Sequence, residues 1–192
     1  DHVAGLRALQ QRFGAIHEAA AVAAARRYGA VLASHDDTTA PQVAVSAAHG
    51  AHFAEFPTTR EAAEACHVHG IKVMMGAPNL IRGGSHSGNV AAQELAEAAL
   101  LDIVSSDYVP SALLTAALML GDLWRDLPRG VATVTAAPGA AAGLTDRGHI
   151  DISVVLSRHR RLAVAVEDPR LARTLAGGRQ RSLRDRGRLV DR

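Results

Sequence analysis

Lys72-Val73-Met74-Met75-Gly76-Ala77-Pro78 runs without a break into Asn79-Leu80-Ile81-Arg82-Gly83-Gly84-Ser85-His86-Ser87-Gly88-Asn89. The first part is a short apolar run closed by Gly and Pro, the pattern of a buried strand. The second part is polar. From Gly76 to Asn89, fourteen residues hold four glycines, two serines, two asparagines, one Arg and one His. A helix-like run begins near Val90. Strand, polar loop and helix thus succeed one another in a single unit. Glycine lets a backbone come close to a ligand and take positive φ. A helix start adds unpaired N–H groups and partial positive charge. Arg82 adds a planar cation that fits phosphate oxygens. The segment therefore suits an anion, most simply a phosphate. It lacks Gly-Lys-Ser/Thr, so it is not a P-loop. Asn, Arg and His at fixed places are poor chemistry for a flexible linker.

The same unit recurs on both sides. Ala30–Asp37 (AVLASHDD), His52–Thr59 (HFAEFPTT) and Ile103–Val109 (IVSSDYV) are further apolar runs ending in polar residues. Helical patterns lie before and between them: Ile16–Tyr28, Pro41–His49, Arg60–His69 with Gly70 as C-cap, Val90–Leu100 and Pro110–Leu123, with a further one over Pro128–Ala136. Alternation of this kind means parallel strands joined by right-handed crossovers. A doubly wound sheet and a (β/α) barrel both fit. No glycine fingerprint succeeds the first strand, which disfavours a dinucleotide fold. A full barrel needs eight units and typically about 250 residues. Four strands are legible, so the expectation is an α/β fold made of half a (β/α)8 barrel, about strands five to eight, with the N-terminal half absent. Residues 1–148 would be that half. Residues 149–192 read as a divergent Arg-rich tail with disorder expected. Within the tail, Ile150–Leu156 and Arg160–Val166 have strand-like composition.

Bulk properties narrow the function classes. The 192-residue chain is long enough for one sizeable domain. Its net charge is +2, but Arg158–Arg192 alone carries +7, which leaves −5 on the rest. The body is mildly acidic and does not resemble a nucleic-acid binder. The tail has no interleaved aromatics, which weakens a single-strand-binding reading. Cys66 is the only cysteine, so no intrachain disulfide forms, and a reducing cytoplasm is expected. No apolar run approaches a bilayer span and no signal-peptide pattern is present. The chain begins at Asp1, as expected for a processed chain or a piece of a longer protein.

The candidate site residues cluster at strand ends, where both architectures place their chemistry. His35, with Asp36 and Asp37 next to it, suits a divalent metal or acid–base work. It equally suits a rim hydrogen bond with the aspartates capping the next helix. Glu55 ends the second run and can bind metal or orient a histidine. Thr58 and Thr59 read as caps of the next helix, with Glu61 and Glu64 near its positive end. Asp107 ends the fourth run and can take a proton from an attacking water. His67-Val68-His69 would be a metal pair on a strand, but at the end of a helix residues two apart do not share a face. It is read as a decoy. His17, His49 and His52 read as surface residues, and Cys66 as a small buried one.

Taken in order, four motifs resemble the PhnM family. They are Ser34-His35-Asp36-Asp37-Thr38-Thr39, Ala54-Glu55-Phe56-Pro57-Thr58-Thr59, the stretch Met75–Asn79 through Gly83–Asn89, and Ser105-Ser106-Asp107-Tyr108-Val109-Pro110. That family comprises α-D-ribose 1-methylphosphonate 5-triphosphate diphosphatases of the carbon–phosphorus lyase pathway, within the amidohydrolase superfamily. The likeness runs from about Ala15 to Gly148. It implies a metal-dependent barrel that hydrolyses the 5-triphosphate to a 5-phosphate and pyrophosphate during alkylphosphonate use. In the superfamily a His at the end of strand five binds metal. An Asp at the end of strand eight binds metal and handles the water proton. His35 and Asp107 match those places.

The resemblance further implies that Asn79, Arg82, Ser85, His86 and Asn89 hold the ribose phosphates. Glu55 stands where many members place a strand-six His, so it is a lesser metal candidate. The implied cofactor is one or more divalent ions: zinc, manganese or magnesium. The implied partner is a phosphorylated ribose, with no nucleic acid, no membrane and a possible homo-oligomer. Two features depart from the family. The strand-one metal motif is missing, and Gly148-His149-Ile150-Asp151-Ile152-Ser153 leads into Arg-rich sequence where the family closes with a small β-sandwich. Two other readings stay open: a different amidohydrolase reaction (amide hydrolysis or deamination), and a non-catalytic fragment.

Overall fold

The computed structural model describes residues 2–85 and 87–149. Packing sets Asp1–Gly148 apart as one unit. In chain order its elements are α1 (His2–Tyr28), β1 (Leu32–His35), α2 (Ala40–His49), β2 (Ala51–Glu55), α3 (Arg60–Val68), β3 (Lys72–Gly76), α4 (Ala77–Arg82), α5 (Ala92–Glu97), β4 (Ile103–Ser105), α6 (Ala112–Trp124), α7 (Leu127–Ala132) and α8 (Ala136–Ala141). The four strands form one parallel sheet in the order β1-β2-β3-β4. This open sheet is compatible with part of a barrel.

Local chemistry explains where the elements stop and start. Thr39 caps α2 through a capping box with Gln42, and Pro41 sits in the first turn, where its missing N–H costs nothing. Gly50 ends that helix at φ 88°, a left-handed cap that a Cβ would oppose. Thr59 caps α3 by accepting from the Ala62 amide, and Glu61 sits in the first turn. Glu61 also accepts from the Ala40 amide at 3.0 Å, so one carboxylate serves the starts of two neighbouring helices. The caps are therefore threonines, and Asp36 and Asp37 cap neither helix.

The pleat sorts side chains between the two faces of the sheet. On one face, Ala54, Val73, Met75 and Val104 join the main core with Ala62, Cys66, Leu95 and Leu120 from α3, α5 and α6. Fully burying an apolar side chain as large as Leu95 or Leu120 contributes about 1.5–3 kcal/mol. The register pairs Phe53 with Lys72, Glu55 with Met74, and Met74 with Ile103, so these residues lie on the opposite face. There Ile103 borders a cavity with Ala137, Ala140 and Ala141 of α8.

Several boundaries differ from the sequence expectation. Helix α1 reaches back to His2, well before Ile16, because Gly5 and Gly14 each lower helix propensity by only about 1 kcal/mol. Most of it is exposed, and Ala25 is its only buried residue. Ala77–Arg82 is helical where a loop was expected, since Pro78 fits a first turn. Helix α5 starts at Ala92, two residues after Val90. The single helix expected over Pro128–Ala136 is two, α7 and α8. Thr133 interrupts it: its hydroxyl donates to the Gly130 carbonyl, and its own carbonyl accepts from the Val104 amide on the β4 edge. The strand-like stretches Ile150–Leu156 and Arg160–Val166, and the Arg-rich tail, lie outside the described residues. Among the described residues no helix is long and apolar enough to cross a membrane.

Candidate active site

Three strands end the same way. Asp36, Phe56 and Asp107 come just after β1, β2 and β4, and all three are non-glycine residues at positive φ (60°, 55° and 51°). Such a backbone costs roughly 1–2 kcal/mol per residue relative to the right-handed region. Here it coincides with a shared destination. All three residues line one cavity of about 160 Å³ at the C-terminal rim, with Gly76, Asn79, Arg82, Ser85, Ser87, Asn89 and Tyr108 among its other walls. Strain gathered at one concave spot is the pattern of a working site.

Asp107 reaches the cavity because residue 76 has no side chain. A Cβ on Gly76 would lie 3.0 Å from Asp107 Oδ2. That Cβ position belongs to the face carrying Lys72 and Met74. His35 pairs with Glu55, which pairs with Met74 in turn, so His35 belongs to that face as well. The His35 imidazole and the Asp107 carboxylate therefore sit on one side of the sheet. They are not adjacent: β1 and β4 stand three strand spacings apart, about 14 Å across a flat sheet.

His35 is instead paired locally. Its Nδ1 is 3.0 Å from Asp36 Oδ2, and its Nε2 is 4.0 Å from Glu55 Oε2. The Phe56 ring stands edge-on to the imidazole at 5.3 Å between centroids. His35 Nε2 and Glu55 Oε2 are thus two metal-type donors side by side. Among the described residues, no group of three or more His, Cys, Asp or Glu is placed to hold a metal ion.

The glycine-rich loop is organised differently from the sequence reading. The Asn79 amide is engaged with backbone: Oδ1 accepts from the Ala92 amide at 2.9 Å, and Nδ2 donates to the Val90 carbonyl. Asn79 therefore pins the far end of the loop while still lining the cavity. The first amide of α5 is occupied by that bond, so it is not among the unpaired N–H groups expected to face an anion. Arg82 donates to the Pro78 carbonyl through Nε. Ser85 accepts from the Ser87 amide at 3.1 Å, a tight local turn. Arg82, Ser85 and Asn89 meet Asp107 at the cavity. His86 lies outside the described residues.

Sequence reasoning missed how the rim is stitched. Thr58 donates to the Thr38 hydroxyl at 2.8 Å, and Thr59 donates to the Thr38 carbonyl at 2.6 Å. The Thr58 amide donates to the Asp37 carbonyl, and the Val90 amide to the Thr58 carbonyl. Three successive strand-end loops are tied side by side. The paired Thr-Thr at 38–39 and 58–59 was the available signal: Thr39 and Thr59 cap the helices, while Thr38, Thr58 and the Thr59 hydroxyl bond sideways.

The other end of the sheet holds the decoy. His67 Nε2 is 2.7 Å from Asp102 Oδ2, Lys72 Nζ is 2.9 Å from Asp102 Oδ1, and the Val73 amide donates to Asp102 at 2.9 Å. Burial raises the Asp102 pKa, but these three partners outweigh it and hold the carboxyl below its ordinary value. His67 is thereby a structural partner. Burial pushes the Cys66 thiol up to about 12, with smaller contributions from Asp37 and Asp102, so it is not a ready nucleophile.

Comparison with known proteins agrees with the motifs. The chain is 51% identical over 146 residues to the alpha-D-ribose 1-methylphosphonate 5-triphosphate diphosphatase of Escherichia coli (strain K12), a match that covers 74% of this chain and 39% of that protein. The resemblance to the PhnM family is thus shown over about three quarters of the chain, which spans about two fifths of the relative's length. No family model and no solved structure matches the chain.

Proposed function

We propose that this chain carries part of the active site of a metal-dependent diphosphatase acting on α-D-ribose 1-methylphosphonate 5-triphosphate, releasing pyrophosphate and leaving the 5-phosphate. In this reading residues 1–148 are the C-terminal half of a (β/α) barrel, the tail from 149 is divergent, and the setting is cytoplasmic alkylphosphonate catabolism. One observation carries it: the cavity where Asp107 from the β4 end meets Arg82, Ser85 and Asn89 from the glycine-rich loop. The likeness to the diphosphatase supports the choice of substrate.

The donor types suit divalent ions at two separate places, His35 Nε2 with Glu55 Oε2 at the ends of β1 and β2, and Asp107 beyond the end of β4. His35 and Asp107 are the proposed holders, Glu55 the lesser one, and further donors must come from outside the described residues. When bound, such an ion supplies Lewis-acid polarisation and a more acidic water. The residues of the chain do the rest. Asp107 accepts the proton of the attacking water. Arg82, Ser85, Asn89 and, outside the described residues, His86 hold the phosphate chain and offset charge as it builds on the leaving pyrophosphate. Asn79 keeps that loop at its working distance.

Asp107→Asn in a whole enzyme of this family is expected to lower kcat by about 10²–10⁴-fold with KM little changed. A pyrophosphate-release assay reads this directly, and unchanged kcat would reject the role. Release of ammonia or of a carboxylic acid, with no pyrophosphate, would favour another amidohydrolase reaction.

A further inference from the structure

The cavity beside Asp107 is lined by two chemistries. Arg82, Ser85 and Asn89 bring polar groups from the glycine-rich loop, and Phe56 and Tyr108 bring aromatic rings from the β2 and β4 ends. The chain holds only three Phe, two Tyr and one Trp, so two of its six large rings meet at this one cavity. The two rings are held differently. The Phe56 amide donates to the Met74 carbonyl at 2.9 Å, and its ring stands edge-on to His35. Tyr108 shares the turn that presents Asp107, which is closed by the Val109 amide donating to the Ser106 carbonyl at 3.0 Å. Tyr108 is 62% exposed.

A bare phosphate has no use for an aromatic lining. It is all oxygen and charge, and its favourable contacts are with cations and with N–H or O–H donors. An aromatic ring instead gains by covering C–H groups, and a tyrosine adds a hydroxyl that can pair with one on the ligand. We propose that Tyr108 is a specificity-determining residue of this site: its ring covers the sugar of a phosphate ester, with Phe56 as the fixed part of the same wall, so that a compact sugar phosphate is preferred to a phosphate without a ring. The inference rests on the reading of this cavity as the phosphate site. Because position 108 directly follows Asp107, sugar recognition and carboxylate presentation depend on one turn.

The test is amide and aromatic-ring NMR titration of the full chain with ribose 5-phosphate and with methyl phosphate, two monoesters that differ in the ring alone. Both are expected to shift Arg82, Ser85 and Asn89. Only ribose 5-phosphate should shift the Tyr108 ring, and it should bind about three- to tenfold tighter. Tyr108→Ala should abolish that preference and leave the methyl phosphate affinity unchanged. Tyr108→Phe keeps the ring and should keep most of the preference. Equal binding of the two esters by the wild type overturns the proposal and leaves the phosphate reading standing. Equal weakening of both esters in Tyr108→Ala also overturns it, because the ring would then support the site without sensing the sugar. If neither ester shifts the loop, the phosphate reading and this proposal fall together.

Discussion

The two ends of the sheet carry carboxylates in opposite circumstances. At the N-terminal end, Asp102 has a side chain only 17% exposed and is met by an ammonium, an imidazole and a backbone amide. At the C-terminal end, Asp107 is exposed, held at positive φ, and among the described residues its carboxylate has no hydrogen-bond partner. A satisfied carboxylate stabilises; one that is strained and left open is available for a ligand. Burial alone would have pointed to the wrong aspartate, since Asp102 is the more buried of the two.

That contrast can be broken by exchanging the consequences. Asp107→Asn should remove activity while leaving the stability of this chain, read from its urea midpoint, within about 0.5 kcal/mol of wild type. Asp102→Ala should do the reverse. It strands Lys72, His67 and the Val73 amide, and a loss of about 2–4 kcal/mol is expected from denaturant melts. If Asp102→Ala leaves stability intact, the N-terminal end is not the anchor of the sheet.

Acid sharpens the same contrast. The folded pKa of Asp102 lies below its ordinary value of 3.8. Its contribution is therefore fully present above that value and is lost as pH falls through the lower folded pKa. Urea midpoints measured downward from about pH 5 should decline, and Asp102→Asn should flatten the decline.

A smaller effect belongs to the stitched rim. Thr58→Val removes the hydroxyl that donates to Thr38 but keeps the Thr59 cap, so about 1 kcal/mol is expected from thermal melts. Amide exchange should speed up in the loops at 36–39 and 56–59 and stay unchanged at Asp102. Equal acceleration at both ends would mean the rim is not a separate unit.

Much of the fold was legible because its signals are short-range. Apolar runs ended by polar residues marked all four strands, and Pro41 and Thr59 marked helix starts, while Thr39 was missed as a cap in favour of the aspartates before it. The left-handed turns were not legible: nothing about Asp36, Phe56 or Asp107 as residue types demands positive φ, and the neighbouring loops impose it. For the same reason the sequence offered Asp36 only as a carboxylate beside His35 or a helix cap, and its place on the cavity wall depends on a turn. Asn79 was read as a substrate contact from the family resemblance. Its bonds to Val90 and Ala92 span more than ten residues and needed the folded chain. His67 was set aside from helix geometry, and its partner Asp102 lies 35 residues away and carries no local sign of the pairing.

Because Asn79 fastens the far end of the loop at Val90 and Ala92, while Gly83 closes α4 at the near end, the residues between form an interchangeable cassette. Insertions or new side chains there would leave strand register and helix placement untouched. On the proposed function, preference among phosphorylated ligands would drift by editing a handful of codons, with the scaffold beneath held constant.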